Sequence, residues 1–398
     1  MRIAILSDFH LGYERFRADA YSQAEEAMRK ASEMSDMIII PGDIFDSRIP
    51  KPDVIAEAIT LFRNLSGKEW KAKVTGFIGD GRNYSNVPVI AIPGTHERRA
   101  QDAADPVDIL GLAGLLVDVS NATAVVELDG ERVAVRGMGG IADDRFKEVV
   151  SEANPGPVSG AFNIFVFHES LYELLPFNSK FMKFDELPEG FDLYVNGHIH
   201  SRFEADVHGK KLLIPGSTVI TQLKPSDQGR KGFFVFDTKS GKYEFIEINS
   251  RRFVISEVDL QKCAPESYGD ALSHAVDEAI GGKPDIPIVR LVVPGNFAHA
   301  ENFEFEISTI PKKYAGRAIV EVARSLVNGK LLDTPMNSVT GAFGNMSVKD
   351  YGMGVLADKV KMHGVVFDAF GAIDLFELLG LDEPRERVVE LALEKMFG

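Results

Sequence analysis

The sequence predicts an α/β protein: a two-sheet sandwich flanked by helices, then a smaller α/β module and a helical C-terminal segment. Three observations carry this prediction. Over the first 250 residues short apolar runs alternate with helical patterns, the βαβ rhythm of helices packed on a largely parallel sheet. From Thr123 onward paired strands joined through glycine predict a second, more antiparallel sheet. Residues of metal-ligand type also recur where the apolar runs end, so the carboxyl edge of a sheet would gather them at one point.

Taken in order, 2–6 reads as a buried strand. The helix over 18–33 follows, with Ala20, Ala24, Ala27, Met28 and Ala31 on one face. A strand at 37–40 leads to a helix over 52–65, opened by Pro52 and striped by Ile55, Ile59 and Phe62. The segment 66–86 is rich in Gly, Lys and Asn, carries the only tryptophan, Trp70, and reads as an insertion or mobile loop. A strand at 89–92 precedes a helix near 106–115. Strands at 123–128 and 132–137 flank Asp129-Gly130, a hairpin signal, and 202–207 with 211–214 and 232–236 with 243–248 repeat that pattern. Apolar strands are also expected at 162–167 and 191–195. After about residue 250, a strand at 253–260, a helix near 266–280 and a strand at 286–293 form a small module. Residues 330–354 read as a linker, and 368–379 and 383–397 as helices separated by Gly380. The expected domains are therefore 1–250, 251–330 and 331–398.

A chain of 398 residues can bury a large core and suggests two or three domains. Its hydrophobic fraction of 45% and charged fraction of 26% are those of an ordinary globular protein. No apolar stretch approaches the roughly 18 residues that span a bilayer. No basic-then-apolar leader opens the chain, so a cytoplasmic location is expected. The single cysteine, Cys263, excludes an internal disulfide and a thiolate cluster, which leaves any metal to oxygen and nitrogen ligands. The 44 basic and 59 acidic residues give a formal charge of −15, which argues against a polyanionic partner only on average, because nucleic acid feels the local field. The basic pairs Arg98-Arg99, Lys210-Lys211, Arg230-Lys231, Arg251-Arg252 and Lys312-Lys313 read singly as solvated turns.

The ligand-type residues are Asp8 and His10, Asp43 with Asp46 close behind, Thr95-His96-Glu97, His168-Glu169, and His198 with His200. In Asp8-Phe9-His10 and His198-Ile199-His200 the i,i+2 spacing puts both ligands on one side of an extended segment. Glycines before Asp43, Thr95 and His198 let the backbone turn at the strand ends. Hydrolysing a phosphodiester needs an activated water and neutralisation of phosphoryl charge, and two divalent ions about 3.5–4 Å apart can supply both. Mixed carboxylate and imidazole ligands suit manganese, iron or zinc rather than magnesium or calcium.

The order D-x-H, G-D, G-x-H-[DE], H and G-H-x-H resembles the signature of the calcineurin-like metallophosphoesterase superfamily. Ser7 to Gly12, Pro41 to Ser47, Gly94 to Glu97 and Gly197 to His200 look most like the archaeal branch of its meiotic-recombination-eleven (Mre-eleven) nucleases. The resemblance covers about residues 1–250 and implies a metallophosphoesterase sandwich with a small capping domain that helps to present DNA. It implies one ion held by Asp8, His10, Asp43 and His200, and a second held by Asp43, the residue at 95, His168 and His198. His96 would stabilise the transition state or protonate the leaving oxygen, a role for a positioned imidazole. Asp46 would orient a ligand. Family members typically use manganese, cut as 3′-to-5′ exonucleases and single-strand endonucleases, dimerise through the helices at 52–65 and 106–115, and join an SMC-like ABC ATPase in double-strand-break repair. One position departs: where the family has a ligating Asn, this chain has Thr95, whose shorter hydroxyl predicts a weaker second ion or reduced activity.

Two other readings share these residues. A phosphodiesterase for small nucleotides would keep the fold and suit the negative charge. A scaffold with decayed chemistry that binds DNA and the ATPase would explain Thr95. The single histidines His208, His274, His299 and His363 are given no site role, and Glu97 and Glu169 are expected to hydrogen-bond loop backbone or a ligand histidine.

Overall fold

The computed structural model describes residues 1–325 apart from 80–84, 99–103, 176–179, 262 and 295–299. The expected linker and C-terminal helices, together with His299 and His363, lie outside the described residues. The chain opens with β1 (Arg2–Ile5), α1 (Arg17–Met34), β2 (Met37–Ile40), α2 (Pro52–Ser66), β3 (Lys73–Ile78) and β4 (Val89–Ala91). It continues through α3 (Pro106–Leu112), β5 (Val117–Asp118), β6 (Thr123–Leu128), β7 (Glu131–Met138), α4 (Asp143–Ala153), β8 (Phe162–Phe167) and β9 (Leu193–Asn196). Two hairpins follow, β10 (Phe203–Val207) with β11 (Lys210–Ile214) and β12 (Gly232–Asp237) with β13 (Tyr243–Glu247). The last described elements are β14 (Phe253–Glu257), α5 (Tyr268–Ile280), β15 (Ile288–Pro294), α6 (Ala300–Lys313) and β16 (Ile319–Ser325).

The first sheet runs β13-β12-β1-β2-β4-β5 and the second β10-β11-β9-β8-β7-β6-β3. Strand alternation explains how they stack. Ile3, Ile5, Met37, Ile39 and Ile90 project toward the second sheet and meet Val133, Val135, Ile164, Val166 and Val195. The alternate residues Ala4, Leu6, Ile38 and Ile40 face Ala24, Ala27 and Met28 of α1 and Ala58 and Phe62 of α2. On the far side of the second sheet Phe165, Phe167 and Tyr194 pack with Phe146 and Val150 of α4. Helices thus cover both outer faces of the expected sandwich. Pro52 does open α2, and Asp105 caps α3, accepting the Val107 and Asp108 N–H groups at 2.8 and 3.0 Å. The buried stripe of α2 is Val54, Ala58, Leu61, Phe62 and Leu65, with Ile55 and Ile59 at its half-buried edge rather than its centre.

Several elements differ from expectation. The segment 66–86 contributes β3, paired antiparallel to β6 at the edge of the second sheet, with its register shifted between Val74 and Gly76. The bulge and the glycine hid the period-2 pattern. Hairpin β12–β13 joins the first sheet, antiparallel to β1, not the second. Gly-Phe-Phe-Val-Phe is apolar at successive positions, as a strand buried on both faces requires. Phe234 and Phe236 enter the inter-sheet core, whereas Phe233 and Val235 face the helices. The second sheet is consequently mixed, with β7, β8, β9 and β11 parallel to their neighbours in turn. Helices α4 and α6 and strand β16 were not expected, α6 being obscured by Pro311 inside it.

Strands β14, β15 and β16 form an all-parallel sheet with a core of its own, in which Leu272 and Val276 of α5 and Phe303 and Ile310 of α6 cover Val289 and Leu291. Phe253 and Ile288 of this sheet pack against Phe16, Ala20, Val219 and Ile220 of the sandwich. Arg251 at that junction grips the Asp19 carboxylate of α1 with two nitrogens. Among the described residues no helix is long and apolar enough to cross a membrane.

Candidate metal centre

Five parallel strands, β1, β2 and β4 of one sheet and β8 and β9 of the other, end at the same edge, and each releases ligand-type residues into its following loop. The β1 and β2 loops stay paired beyond their strands: Asp8 N–H donates to Gly42 O at 3.2 Å and His10 N–H to Asp43 O at 3.1 Å. Asp8, His10, Asp43 and His198 all adopt left-handed backbone, with φ of 53°, 49°, 49° and 68°. Each such non-glycine residue costs about 1–2 kcal/mol, so the surrounding packing holds a strained edge. Glycine serves two purposes here. Gly42 has φ +99° and makes the turn before Asp43, whereas at Gly94 a Cβ would lie 2.3 Å from Asp43 Oδ1, so that glycine permits close approach.

The structure brings the sequence-predicted residues together. Asp8, His10, Asp43 and His200 offer ligand atoms within 4.8 Å of one another, as do Asp43, His168 and His198, so Asp43 is common to two clusters. A third cluster joins His10, Asp46 and His96.

Hydrogen bonds fix which ring nitrogens face the clusters. A carbonyl or carboxylate can only accept, so His168 Nδ1–H donates to Pro41 O at 2.5 Å and His10 Nδ1–H to Asp46 Oδ1 at 3.0 Å. His200 Nδ1 contacts Thr221 Oγ1 at 2.5 Å. The opposite nitrogens converge: His10 Nε2 and His200 Nε2 are 3.1 Å apart, and His168 Nε2 is 3.1 Å from Asp43 Oδ2. Asp8 Oδ1 lies 3.6 Å from His200 Nε2 and 4.0 Å from His10 Nε2. Thr95 Oγ1 sits 3.1 Å from His198 Nδ1, at the second cluster. His96 Nδ1–H donates to Asp46 O at 3.0 Å, and its side chain is 45% exposed at the mouth of the site.

The electrostatics suit a cation. Both Asp8 oxygens are buried without a hydrogen-bond partner. Burial raises Asp8 above the usual carboxylate range, whereas for Asp43 the burial effect is outweighed by His168 and the carboxyl is held low. Burial pulls His168 down, but Asp43 and Asp8 outweigh it and push the imidazole up to about 10. Its proton balances those carboxylates, and a metal ion would displace it. His198 is lowered by burial and by His168, and His200 is lowered further by burial and by His10, so both rings favour the neutral form that ligates. A buried oxygen-and-nitrogen donor set with orphaned lone pairs fits two divalent ions.

Supporting residues were partly legible. Glu97 does hydrogen-bond loop backbone: it is fully buried, and its carboxyl accepts Phe45 N–H and Gly94 N–H at 2.8 Å each, tying two ligand loops together. Glu169 does not, since its buried carboxyl oxygens meet neither loop backbone nor a ligand histidine. Lys231 corrects the reading of Arg230-Lys231 as a solvated turn. It is only 6% exposed, and its ammonium donates to His200 O at 3.1 Å, Ser217 Oγ at 3.1 Å and Asp227 Oδ1 at 2.9 Å. Ser170, Asp143 and Thr221 also touch ligand histidines, and no short motif announced them. His208 bonds Leu187 O at 2.8 Å and His274 lies near Glu278 on the surface, so neither joins the site.

Residues 1–202, which include every residue from Asp8 to His200 named above, match the calcineurin-like phosphoesterase family. The chain is 26% identical over 429 residues to the DNA double-strand break repair protein Mre11 of Methanopyrus kandleri, a match covering 100% of this chain and 82% of that protein. It is 28% identical over 317 residues to the double-strand break repair protein mre-11 of Caenorhabditis elegans, covering 67% of this chain and 44% of the worm protein, so it spans less than half of that relative's length. The solved structure of a novel archaeal phosphodiesterase aligns with 62% of this chain and 100% of its own, at 17% identity and a TM-score of 0.30. By its two-sheet fold and by the ligand-bearing span of residues 1–202, the chain belongs to the calcineurin-like phosphoesterase family.

Proposed function

We propose that this chain is a DNA nuclease of double-strand-break repair, hydrolysing phosphodiesters as a 3′-to-5′ exonuclease and single-strand endonuclease with two manganese ions. The observation that carries the reading is Asp43, shared between two buried ligand clusters beside an exposed imidazole. Asp8, His10, Asp43 and His200 would hold one ion, and Asp43, Thr95, His168 and His198 the other. When bound, such a pair would supply an activated water and neutralise charge on the phosphoryl oxygens. His96 has its Nδ1 committed to the Asp46 carbonyl, which leaves Nε2 as the nitrogen to meet a substrate oxygen. Asp46 holds both His10 and His96, so it aligns a ligand and the catalytic ring together. The relatives named for double-strand-break repair favour DNA over a small nucleotide.

The module from about 251 to 330 would cap the site and help to present DNA, and 331–398 would dock an SMC-like ABC ATPase. A homodimer through α2 and α3 would cover Ile109 and Leu112, which are exposed on α3. These roles belong to a cytoplasmic repair complex.

The test is degradation of labelled duplex and single-stranded DNA, beside a chromogenic phosphodiester, with and without manganese. Manganese-dependent loss of DNA that is abolished in His96→Ala supports the proposal. Activity confined to the chromogenic ester would make the chain a small-nucleotide phosphodiesterase, and no activity on either would favour the scaffold reading. Undiminished DNA degradation by His96→Ala would overturn the role given to His96.

A further inference from the structure

We infer that Ser170 and Asp143 form a relay that fixes the tautomer of His198 and so presents its Nδ1 to the second ion. The inference rests on the two-ion reading above and names residues that the family motifs do not contain. Ser170 follows the β8 ligand loop and is buried, and Asp143 is the first residue of α4. Ser170 Oγ lies 2.9 Å from His198 Nε2 and 2.8 Å from Asp143 Oδ2, and Ser170 N–H points to Asp143 Oδ1 at 3.4 Å.

A hydroxyl has a single hydrogen to give. The carboxylate of Asp143 can only accept, so that hydrogen goes to Asp143 and Ser170 must accept from the imidazole. His198 therefore carries its proton on Nε2. The reverse arrangement would set two lone pairs against each other between Ser170 Oγ and Asp143 Oδ2. With Nε2 protonated, Nδ1 keeps its lone pair, and the group facing it is the Thr95 hydroxyl at 3.1 Å, which can donate to it.

The relay matters more here because Thr95 is a short ligand. The left-handed backbone at His198 places the ring between Ser170 on one edge and Thr95 on the other. Ser170 and Asp143 are positioning residues; neither touches the reacting atoms.

The experiment uses the full chain with Ser170→Ala, Ser170→Thr and Asp143→Ala, titrated calorimetrically with Mn2+ alone. Ser170→Ala and Asp143→Ala should weaken the second ion roughly 10- to 100-fold, the range for loss of a group that orients a metal ligand, while the first ion binds as in the unsubstituted chain. Ser170→Thr keeps the hydroxyl and should restore binding. Nitrogen-15 chemical shifts of the metal-free protein read the tautomer directly. A proton on Nε2 of His198 that becomes mixed between the nitrogens in Ser170→Ala supports the relay. A proton on Nδ1 in the unsubstituted chain, or two ions bound with unchanged affinity in Ser170→Ala, would overturn it. Uptake of only one ion by the unsubstituted chain would overturn the two-ion reading instead, and the shifts would still decide the relay.

Discussion

Replacing Glu97 by alanine removes the acceptor that two ligand loops share. The Phe45 and Gly94 N–H groups each donate to its carboxyl at 2.8 Å in a fully buried setting. Stranding a buried donor costs about 1–3 kcal/mol, so Glu97→Ala should destabilise by roughly 2–6 kcal/mol before any cavity is counted. That is a large share of the roughly 5–15 kcal/mol typical of a folded domain. Burial, reinforced by the charge of Asp43, pushes the Glu97 carboxyl well above its ordinary range, so glutamine resembles the neutral form. Glu97→Gln keeps an acceptor for one N–H and should cost about 1–3 kcal/mol. The sign of the pH dependence follows. The folded chain holds this proton more tightly than the unfolded one, so its contribution is complete below the unfolded value of 4.5 and is lost as pH rises through the folded value. Glu97→Gln should flatten that slope. Urea unfolding of the metal-free proteins at several pH values measures both effects. A cost below about 1 kcal/mol for Glu97→Ala, or an unchanged pH slope in Glu97→Gln, would refute the reasoning.

Three further outcomes are expected. Thr95→Asn should tighten the second ion by roughly tenfold, the low end of single ligand-shell effects, and two tightly held ions in both proteins would show that Thr95 is no deficit. Lys231→Met leaves Asp227 buried and unpaired and strips donors from His200 O and Ser217 Oγ, so unfolding should be easier by about 3–5 kcal/mol. A loss within about 0.5 kcal/mol would return Lys231 to an ordinary surface role. Because the His168 imidazole is pushed up to about 10, an ion binding there at pH 8 must displace its proton. Apparent affinity should then rise about tenfold per pH unit below that value, and calorimetry in buffers of different ionisation enthalpy should detect the released proton; binding without proton release contradicts it.

What the sequence determined by itself was local. Asp8-Phe9-His10, Gly42-Asp43 and His198-Ile199-His200 are contiguous, and a strand followed by a sharp turn places such residues at a sheet edge in almost any arrangement of the remaining chain. The apolar runs likewise marked most of the strands, because burial on both faces leaves no polar alternation to confuse. Tertiary structure decided whatever depends on distant neighbours. Edge strand β3 is defined by its pairing with β6 rather than by its own pattern. Hairpin β12–β13 chose its sheet because β1 offered a free edge and both faces of β12 needed cover. Lys231 looked like half of a surface pair until Asp227, Ser217 and the His200 carbonyl enclosed it. The orientation of each ligand ring belongs to the same class, since His168 answers to Pro41, 127 residues away, and His10 faces His200 across 190 residues. Residue type and spacing supply the candidate ligands; long-range hydrogen bonds determine which nitrogen each ring turns toward the clusters.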